Sequence, residues 1–416
     1  MQARLVRSAH NPRRFDVRRG CGKSRDMSTF AITHAHVQPV TGPAFDGTVV
    51  VQDGTITASG PDVEVPDGAE VIDAGGAWLL PGFIDAHVHL GVHEEGEGWA
   101  GNDTNEMTDP VMAAVRAIDA INPVEVGFDD AIAGGVTAVN VNPGSGNPIG
   151  GLAVAIRTYG RVVDDMVLRE PSGLKAALGE NPKRVYGERS ATPSTRLGVA
   201  LTIRKAFAKA RDWAAKDPAE RESDLVSEAL SRVLEREIPW RQHAHRADDI
   251  ATALRIAEEF GYELVLDHGT ESYLIADRIA AAGVPVLYGP LIVSRSKVEV
   301  RHRTTRAPGI LARAGVKVSI ITDHPVVPID FLVHHAALAV KDGMDPADAL
   351  RAITLNPAEV LGLGDRLGSI DVGKDADLVL WDGDPLDLRH RTLRVWQAGR
   401  EVMHRDEDGQ PVIAER

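Results

Sequence analysis

The central part of the chain alternates between two hydrophobic patterns. Short apolar runs bounded by turn residues are followed by longer segments in which apolar residues recur at helical spacing. This alternation predicts repeated strand–helix units and a parallel sheet. The predicted strands are residues 82–90, 135–142, 166–169, 173–178, 239–245, 262–267, 284–288 and 316–322. The predicted helices are residues 109–121, 123–133, 196–215, 223–236, 247–260, 271–281, 307–313, 328–341 and 345–353.

Eight predicted strands indicate a closed (β/α)8 barrel, the TIM barrel, within the α/β class. Residues 154–159 compete with residues 166–169 for the place of the third strand. Both ends of the chain carry shorter strand-like segments broken by turns, and neither end is long enough to form a stable sheet alone. The two ends together therefore predict one small β-sandwich. The predicted division is a disordered basic tail at 1–27, sandwich parts at 28–80 and 366–416, and the barrel at 81–365.

Composition narrows the class of protein. The chain has 416 residues, of which 43% are hydrophobic and 25% charged, as in ordinary globular proteins. Its net charge of −14 argues for solubility and against non-specific nucleic-acid binding. No apolar run approaches the roughly 20 residues of a membrane span. With Cys21 as the single cysteine, no internal disulfide can form, and a reducing cytoplasm is the expected location.

The first 26 residues differ from the rest of the chain. They contain eight basic and two acidic residues, a local charge of +6. A targeting peptide is one interpretation, but no apolar core follows the charges. The favoured interpretation is a disordered tail, with Met27 opening the folded protein.

Metal-binding side chains follow four of the predicted strands. The apolar run PGFIDAHVHL ends in His87 and His89, which the strand period of two places on one face. Strand 239–245 ends in His243 and His245 in the same way. His268 follows strand 262–267, and Asp323 follows strand 316–322. Any one of these residues could simply cap a helix, but four strands delivering such side chains to the catalytic end of a barrel predict a metal site.

The same motifs carry a family resemblance. PGFIDAHVHLG, HAH, LDHGTE and ITDHP, with GSIDVGKDADLVLWDGDP near the end, resemble the amidohydrolase superfamily. Within it, the chain looks most like the branch around imidazolonepropionase and the Xaa-Pro dipeptidase-like hydrolases. The resemblance covers nearly everything after Met27.

The resemblance implies a role for each of these residues. His87, His89, His243, His268 and Asp323 are the implied ligands of one or two divalent metal ions, with zinc the first candidate. Asp323 would also accept the proton of the attacking water, and His268 would polarise a carbonyl group in mononuclear members. His245 is interpreted as facing the substrate rather than the metal.

The number of metal ions depends on whether residues in or after the fourth predicted strand can bridge two of them. Relatives with two metals bridge them with a carboxylated lysine or a glutamate, and this chain offers Lys175 and Glu180. Lysine is rarely placed in an apolar strand without a purpose, which favours Lys175 as the bridge. The alternatives are Glu180 as a ligand, or Lys175 on the barrel exterior with its ammonium in water.

The substrate is expected to be a small molecule. Arg184, Tyr186 and Arg246 are candidate partners for a substrate carboxylate, although each could equally be a surface residue. The predicted reaction is metal-dependent hydrolysis of a C–N bond in a cyclic amide, an N-acyl amino acid or a dipeptide. The alternatives are a deaminase of a cyclic amidine and, more remotely, a non-catalytic assembly protein. A homo-oligomer is compatible with a chain of this size.

Overall fold

The structure is a computed structural model that describes residues 29–416. The predicted basic tail and Met27 lie outside the described residues. Within residues 29–416, no helix has both the length and the apolar character needed to cross a membrane.

One eight-stranded sheet forms the body of the molecule, and its strands follow chain order. They are β6 (Phe83–Val88), β7 (Val136–Val141), β8 (Ile149–Arg157), β9 (Val167–Ala177), β10 (Trp240–Ala244), β11 (Leu264–His268), β12 (Val286–Tyr288) and β13 (Val318–Ile320). The first and last strands come together beyond their carboxyl ends, where the His89 N–H donates to the His324 carbonyl at 2.8 Å. The Thr322 N–H also donates to Asp85 Oδ2 at 2.9 Å. The sheet is therefore a nearly closed barrel.

The third and fourth predicted strands need correction. Residues 166–169 and 173–178 belong to the single strand β9, and β8 runs antiparallel between β7 and β9. Pro171 suggested a break, but it lies where the pairing of β8 with β9 shifts register, between Ala153 and Ala155. A proline without an N–H is tolerated at such an irregularity. The barrel therefore has one antiparallel strand in place of a strict βα repeat.

Helices cover the outside of this sheet. They are α1 (Gly127–Ala133), α2 (Val163–Met166), α3 (Glu180–Glu188), α4 (Arg196–Ala214), α5 (Leu225–Leu234), α6 (Ala247–Phe260), α7 (Ala276–Ala281), α8 (Ala307–Arg313), α9 (Leu332–Lys341), α10 (Pro346–Arg351) and α11 (Leu355–Val360). Single 3₁₀ turns occupy Ala117–Ala120, Ser272–Ile275, Val298–Val300 and Ile329–Phe331. The helix predicted at 109–121 is a loop except for its 3₁₀ turn, and α3 was not predicted.

Strands from both chain ends form a second sheet. They are β1 (Phe30–Val37), β2 (Phe45–Gln52), β3 (Thr55–Gly60), β4 (Glu70–Asp73), β5 (Trp78–Pro81), β14 (Leu378–Trp381), β15 (Thr392–Gln397), β16 (Arg400–Arg405) and β17 (Pro411–Ile413). The ends meet where β5 pairs antiparallel with β14, from Trp78 opposite Trp381 to Pro81 opposite Leu378. The predicted small sandwich is thus one continuous nine-stranded sheet. One part of its apolar side chains, including Phe30, Ile32 and Trp396, forms a core of its own, whereas Val379 and Val395 belong to the barrel core.

Candidate metal centre

Five histidines converge at the carboxyl ends of the barrel strands. His87 and His243 lie within β6 and β10, His89 and His245 follow them, and His268 ends β11. The ring of His268 is central, with its centroid 4.9 Å from that of His87 and 4.5 Å from that of His243. The strand period of two brings His87 and His243 onto the interior face, as the sequence predicted. The arrangement therefore gathers imidazoles from three strands into one site.

These side chains form two groups that could each hold a metal ion. One consists of His87, His268 and Asp323, and the other of His243, His245 and His268. In each group the candidate ligand atoms lie within 4.8 Å of one another. Asp323 Oδ1 also lies 3.4 Å from His89 Nε2, which adds His89 to the first group. Because His268 belongs to both groups, the two candidate positions are adjacent.

Two of the ligands have an unusual backbone conformation. His268 has φ of 71° and Asp323 has φ of 57°, in the left-handed region that residues other than glycine rarely adopt. At the end of β11 this conformation interrupts the alternation of strand side chains. Asp267 and the next residue, His268, can therefore both face the interior. Strain of this kind persists where surrounding contacts hold it, and it is concentrated at functional sites.

Polar partners fix most of the imidazole rings. His89 Nδ1 donates to the Asn142 carbonyl at 2.8 Å, and His268 Nδ1 donates to the Gly289 carbonyl at 3.0 Å. His245 Nδ1 lies 2.7 Å from the Thr270 hydroxyl. Such contacts leave each Nε2 free for a metal, which is how metal-bound histidines are usually oriented.

A charged layer lies beneath the histidines. Lys175 of β9 is fully buried, and its Nζ lies 2.8 Å from Asp267 Oδ2 and 3.3 Å from His87 Nε2. Asp267 Oδ2 is also 3.0 Å from His87 Nδ1. The buried guanidinium of Arg241 is 3.6 Å from Asp267 Oδ1 and donates to the Ala86 carbonyl. Lys175 therefore points into the site, and the alternative that placed it on the barrel exterior is wrong.

Burial sets the protonation of the site. It lowers the pKa of His268 to about 3, and the pKa values of His243 and His245 well below their usual value. These imidazoles are consequently neutral, as a metal ligand must be. Burial alone would raise the pKa of Asp323, but His268, His87 and His89 outweigh it and hold that pKa well below its usual range. Asp323 is therefore a carboxylate.

The unpaired polar atoms of the site fit a bound cation. Among residues 29–416, both ring nitrogens of His243 and Oδ1 of Asp323 are buried without a hydrogen-bond partner. Leaving buried polar atoms unpaired costs roughly 1–3 kcal/mol each, so such atoms call for an explanation. Imidazole and carboxylate are the donors that zinc and neighbouring divalent metals accept. The donor set thus suits a divalent ion.

The carboxylate near the second group is Glu299, which the sequence did not single out. Its Oε1 lies 3.9 Å from His243 Nε2 and 3.8 Å from His245 Nε2. Glu180 is in neither group of candidate ligands, and its backbone N–H donates to Glu299 Oε2 at 2.9 Å. Asp267 and Arg241 were also missed. A charged residue within an apolar strand was the available signal for both of them.

The predicted substrate-binding residues separate into two kinds. Arg184 and Arg246 line a cavity of about 540 Å³ that also contacts Glu299. Arg246 is tied to Asp248 at 2.8 Å. Tyr186 is buried, and its hydroxyl donates to the Asp109 carbonyl at 2.7 Å. Tyr186 thus fastens α3 to a neighbouring loop and does not line that cavity.

Fold and site together define an α/β-barrel protein with a polar, metal-compatible centre at the carboxyl ends of its strands. A sequence model described as the Amidohydrolase family matches residues 78–405. The chain belongs to this family, in agreement with the predicted resemblance. It is an enzyme that hydrolyses carbon–nitrogen bonds other than ordinary peptide bonds.

Individual proteins agree with this assignment. An amidohydrolase structure from Thermotoga maritima is 45% identical, with a TM-score of 0.88, and the match covers 90% of this chain and all of that one. An imidazolonepropionase from Acidiphilium cryptum is 29% identical over 85% of this chain and 92% of its own length. The amidohydrolase tasK of Hapsidospora irregularis is 32% identical over 85% of this chain, which spans only 39% of that protein.

Proposed function

We propose that the chain is a metal-dependent hydrolase whose divalent cation, zinc first among candidates, is held by His87, His89, His243, His268 and Asp323. The main support for the proposal is that two groups of candidate ligands lie side by side and share His268. Unpaired polar atoms of His243 and Asp323 in a buried setting support it. An exclusively structural cluster would be expected to pair these atoms with one another or with backbone groups.

The reaction follows from general chemistry. A divalent cation bound there supplies Lewis acidity and makes water acidic enough to attack as hydroxide near neutral pH. Asp323, ionised and within reach of the ligand atoms, accepts the water proton and returns it to the leaving nitrogen. His268 directs its ring N–H to the Gly289 carbonyl and has none left for the substrate, so the negative charge that develops on the carbonyl oxygen would be held by the bound cation.

Lys175 is proposed to bridge two cations after carboxylation of its amine. Its Nζ lies between Asp267 and His87, inside the barrel. Burial lowers the pKa of this amine, although Asp267 opposes the effect. A lower pKa increases the neutral form, which is the form that reacts with carbon dioxide. Glu180 is the less favoured bridge, because Glu299 and not Glu180 stands beside the histidines.

The proposed substrate is a small molecule whose C–N bond lies in a cyclic amide, an N-acyl amino acid or a dipeptide. Imidazolonepropionases that match 84–89% of this chain favour the cyclic class. Arg184 and Arg246 line the cavity beside Glu299 and are the proposed contacts for a substrate carboxylate. We also propose a cytoplasmic location, and we propose that the barrel is a TIM barrel in spite of its antiparallel β8. The proposed domain limits are 28–80, 81–365 and 366–416.

Metal content tests the proposal. Protein purified without added metal is measured by elemental analysis for the parent, for Lys175→Ala, and for Lys183→Ala as a control outside both ligand groups. Two metals in the parent and in Lys183→Ala, with a marked loss in Lys175→Ala, would support a bridged pair. Substrate screens would then include dipeptides and N-acyl amino acids.

The other outcomes are equally informative. One metal that Lys175→Ala retains would contradict the bridge and turn the screens to cyclic amides and amidines. Release of ammonia from an amidine would identify the deaminase alternative. Absence of metal, with none taken up on reconstitution, would overturn the metal-dependent hydrolase.

A further inference from the structure

Glu299 is a buried carboxylate beside the second ligand group. It lies in the 3₁₀ turn Val298–Val300, between β12 and α8, and is 1% exposed. A carboxylate is rarely buried so fully unless it is paired or binds a metal. The reaction proposed above does not require it.

The two oxygens of Glu299 have different surroundings. Oε2 accepts a hydrogen bond from the Glu180 N–H at the start of α3 and lies 3.9 Å from Arg196 Nη2. Oε1 accepts no hydrogen bond among the described residues, although Lys297 Nζ is 3.1 Å away as an ion-pair partner. Oε2 is thus anchored by backbone, while Oε1 lies between the Lys297 ammonium and the rings of His243 and His245.

The anchor depends on a specific backbone geometry. Gly179 precedes α3 with φ of +90°, and a β-carbon there would lie 2.8 Å from Glu299 Oε2. A glycine is therefore needed for the start of α3 to approach the carboxylate so closely. This approach holds Glu299 with its Oε1 3.9 Å from His243 Nε2 and 3.8 Å from His245 Nε2.

We propose that Glu299 is a metal ligand that completes a second cation site with His243, His245 and His268. The inference rests on the proposed metal-dependent hydrolase and adds two ligands to its set, namely Glu299, from the segment between β12 and α8, and His245, which the sequence analysis had assigned to the substrate. The separations of 3.8 and 3.9 Å between Glu299 Oε1 and the two Nε2 atoms are close to the ligand spacing of a tetrahedral site. Zinc–nitrogen bonds of about 2.0–2.1 Å place such ligand atoms roughly 3.3 Å apart.

Charge gives an independent reason for this assignment. The group around His87 contains the carboxylate of Asp323, whereas the group of His243, His245 and His268 contains only neutral imidazoles. A carboxylate at the second group lowers the electrostatic cost of holding a divalent ion there. Glu299 supplies this charge at the second group, in addition to the proposed carboxylated Lys175.

Binding of zinc to metal-free full-length protein tests the assignment. Zinc is titrated in competition with a chromophoric chelator against the parent, Glu299→Gln and Glu188→Gln. The glutamine keeps the shape of Glu299 and can still accept the Glu180 N–H, but it lacks the charge. Glu188 is an exposed residue of the same cavity and serves as the control.

We expect two zinc sites in the parent and in Glu188→Gln. Glu299→Gln should weaken one site at least about tenfold and leave the other unchanged, and the unchanged site reports an intact fold. In cobalt-substituted protein, the visible absorption of the weakened site should change as well. If Glu299→Gln is not folded, Glu299→Asp, which keeps the charge but shortens the reach, should show the same selective weakening.

The two proposals fail in different ways. A parent that binds no zinc overturns the metal-dependent hydrolase. A parent that binds zinc with affinities unchanged in Glu299→Gln overturns the role of Glu299 and leaves the hydrolase standing. A loss of both sites in a folded Glu299→Gln variant also overturns the selective second site.

Discussion

Asp267 and His268 are consecutive residues that both face the barrel interior, and they perform different tasks there. His268 presents its ring to both ligand groups, while Asp267 contacts Lys175 and the back of His87. Burial opposes ionisation of Asp267, but Lys175, His87 and Arg241 hold its pKa well below the usual range. Asp267 therefore neutralises the buried cations and orients His87.

The pairing of Asp267 with Lys175 leads to a prediction for the metal-free protein. Asp267→Asn should lower the free energy of unfolding by about 3–5 kcal/mol, because it leaves buried cations without their anion. In a double-mutant cycle with Lys175→Met, urea unfolding should show a coupling of about 1–3 kcal/mol. Strictly additive effects would mean that the two side chains do not form an ion pair in solution.

A second prediction at this scale concerns pH. Because burial lowers the pKa of His268 from 6.5 to about 3, its stabilising neutral form is fully favoured above pH 6.5. That contribution declines as pH falls from 6.5 toward 3, where the unfolded state binds the extra proton. Metal-free parent protein should therefore lose more stability between pH 7.5 and 5.5 than His268→Asn does.

Using the difference between parent and variant removes the contribution of ionisable groups whose pKa does not depend on His268. Asp85, whose pKa burial raises to about 7, has the opposite pH dependence over the same range and is common to both proteins. Equal losses of unfolding free energy in the two proteins would show that His268 is not kept neutral by the fold.

At the scale of elements, the sequence predicted those side-chain orientations that depend on strand periodicity. His87 with His89, and His243 with His245, were placed correctly because alternation in a strand is a rigid geometric property. Asp267 was missed because the positive φ of His268, which turns both residues inward, leaves no mark in the hydrophobic pattern. Glu299 was missed because its neighbours come from β10 and α3, through contacts that only the folded chain creates.

The predicted boundary between strands 166–169 and 173–178 was wrong for a related reason. The Glu170-Pro171-Ser172 segment has the composition of a turn, yet β9 continues through it because β8 offers an irregular pairing at that point. A local signal was thus overridden by a partner strand, which is typical of β-structure.

The start of α3 gives a prediction for an element. Gly179→Ala should lower the free energy of unfolding by more than Gly261→Ala, measured by urea unfolding. Both glycines have positive φ, but Gly261 has left-handed helical backbone, which costs alanine roughly 1–2 kcal/mol, whereas the ψ of −142° at Gly179 belongs to a region that essentially only glycine adopts. Only at Gly179 would the new β-carbon also meet Glu299 Oε2 at 2.8 Å, whereas the space around Gly261 is open. Equal losses would show that α3 shifts freely away from Glu299.

At the scale of the whole molecule, several polar contacts join the two sheets, among them a hydrogen bond from Gln397 to the Thr158 hydroxyl and the ion pairs of Arg157. Arg157 at the end of β8 reaches Asp375 at 2.7 Å and Asp377 at 3.2 Å, next to β14. Close by, the Gly82 N–H donates to the Asp377 carbonyl at 2.8 Å. Burial raises the pKa of Asp377 in spite of the opposing charge of Arg157, so this carboxylate depends on its partner. Arg157 therefore couples the barrel to the sheet built from both chain ends.

This coupling gives the last prediction. Arg157→Met should lower the free energy of unfolding by about 3–5 kcal/mol, because it leaves the Asp377 carboxylate buried without its cation. Arg366→Met is the matched control, since Arg366 also contacts Asp375 at 2.7 Å but its side chain is 44% exposed. An exposed pair contributes only about 0–1 kcal/mol, so the control should stay close to the parent. If Arg157 is the connection, the nine-stranded sheet should also become more open to hydrogen exchange than the barrel in Arg157→Met. If the two variants lose similar amounts of unfolding free energy, the two sheets are instead held together mainly by the apolar packing between them.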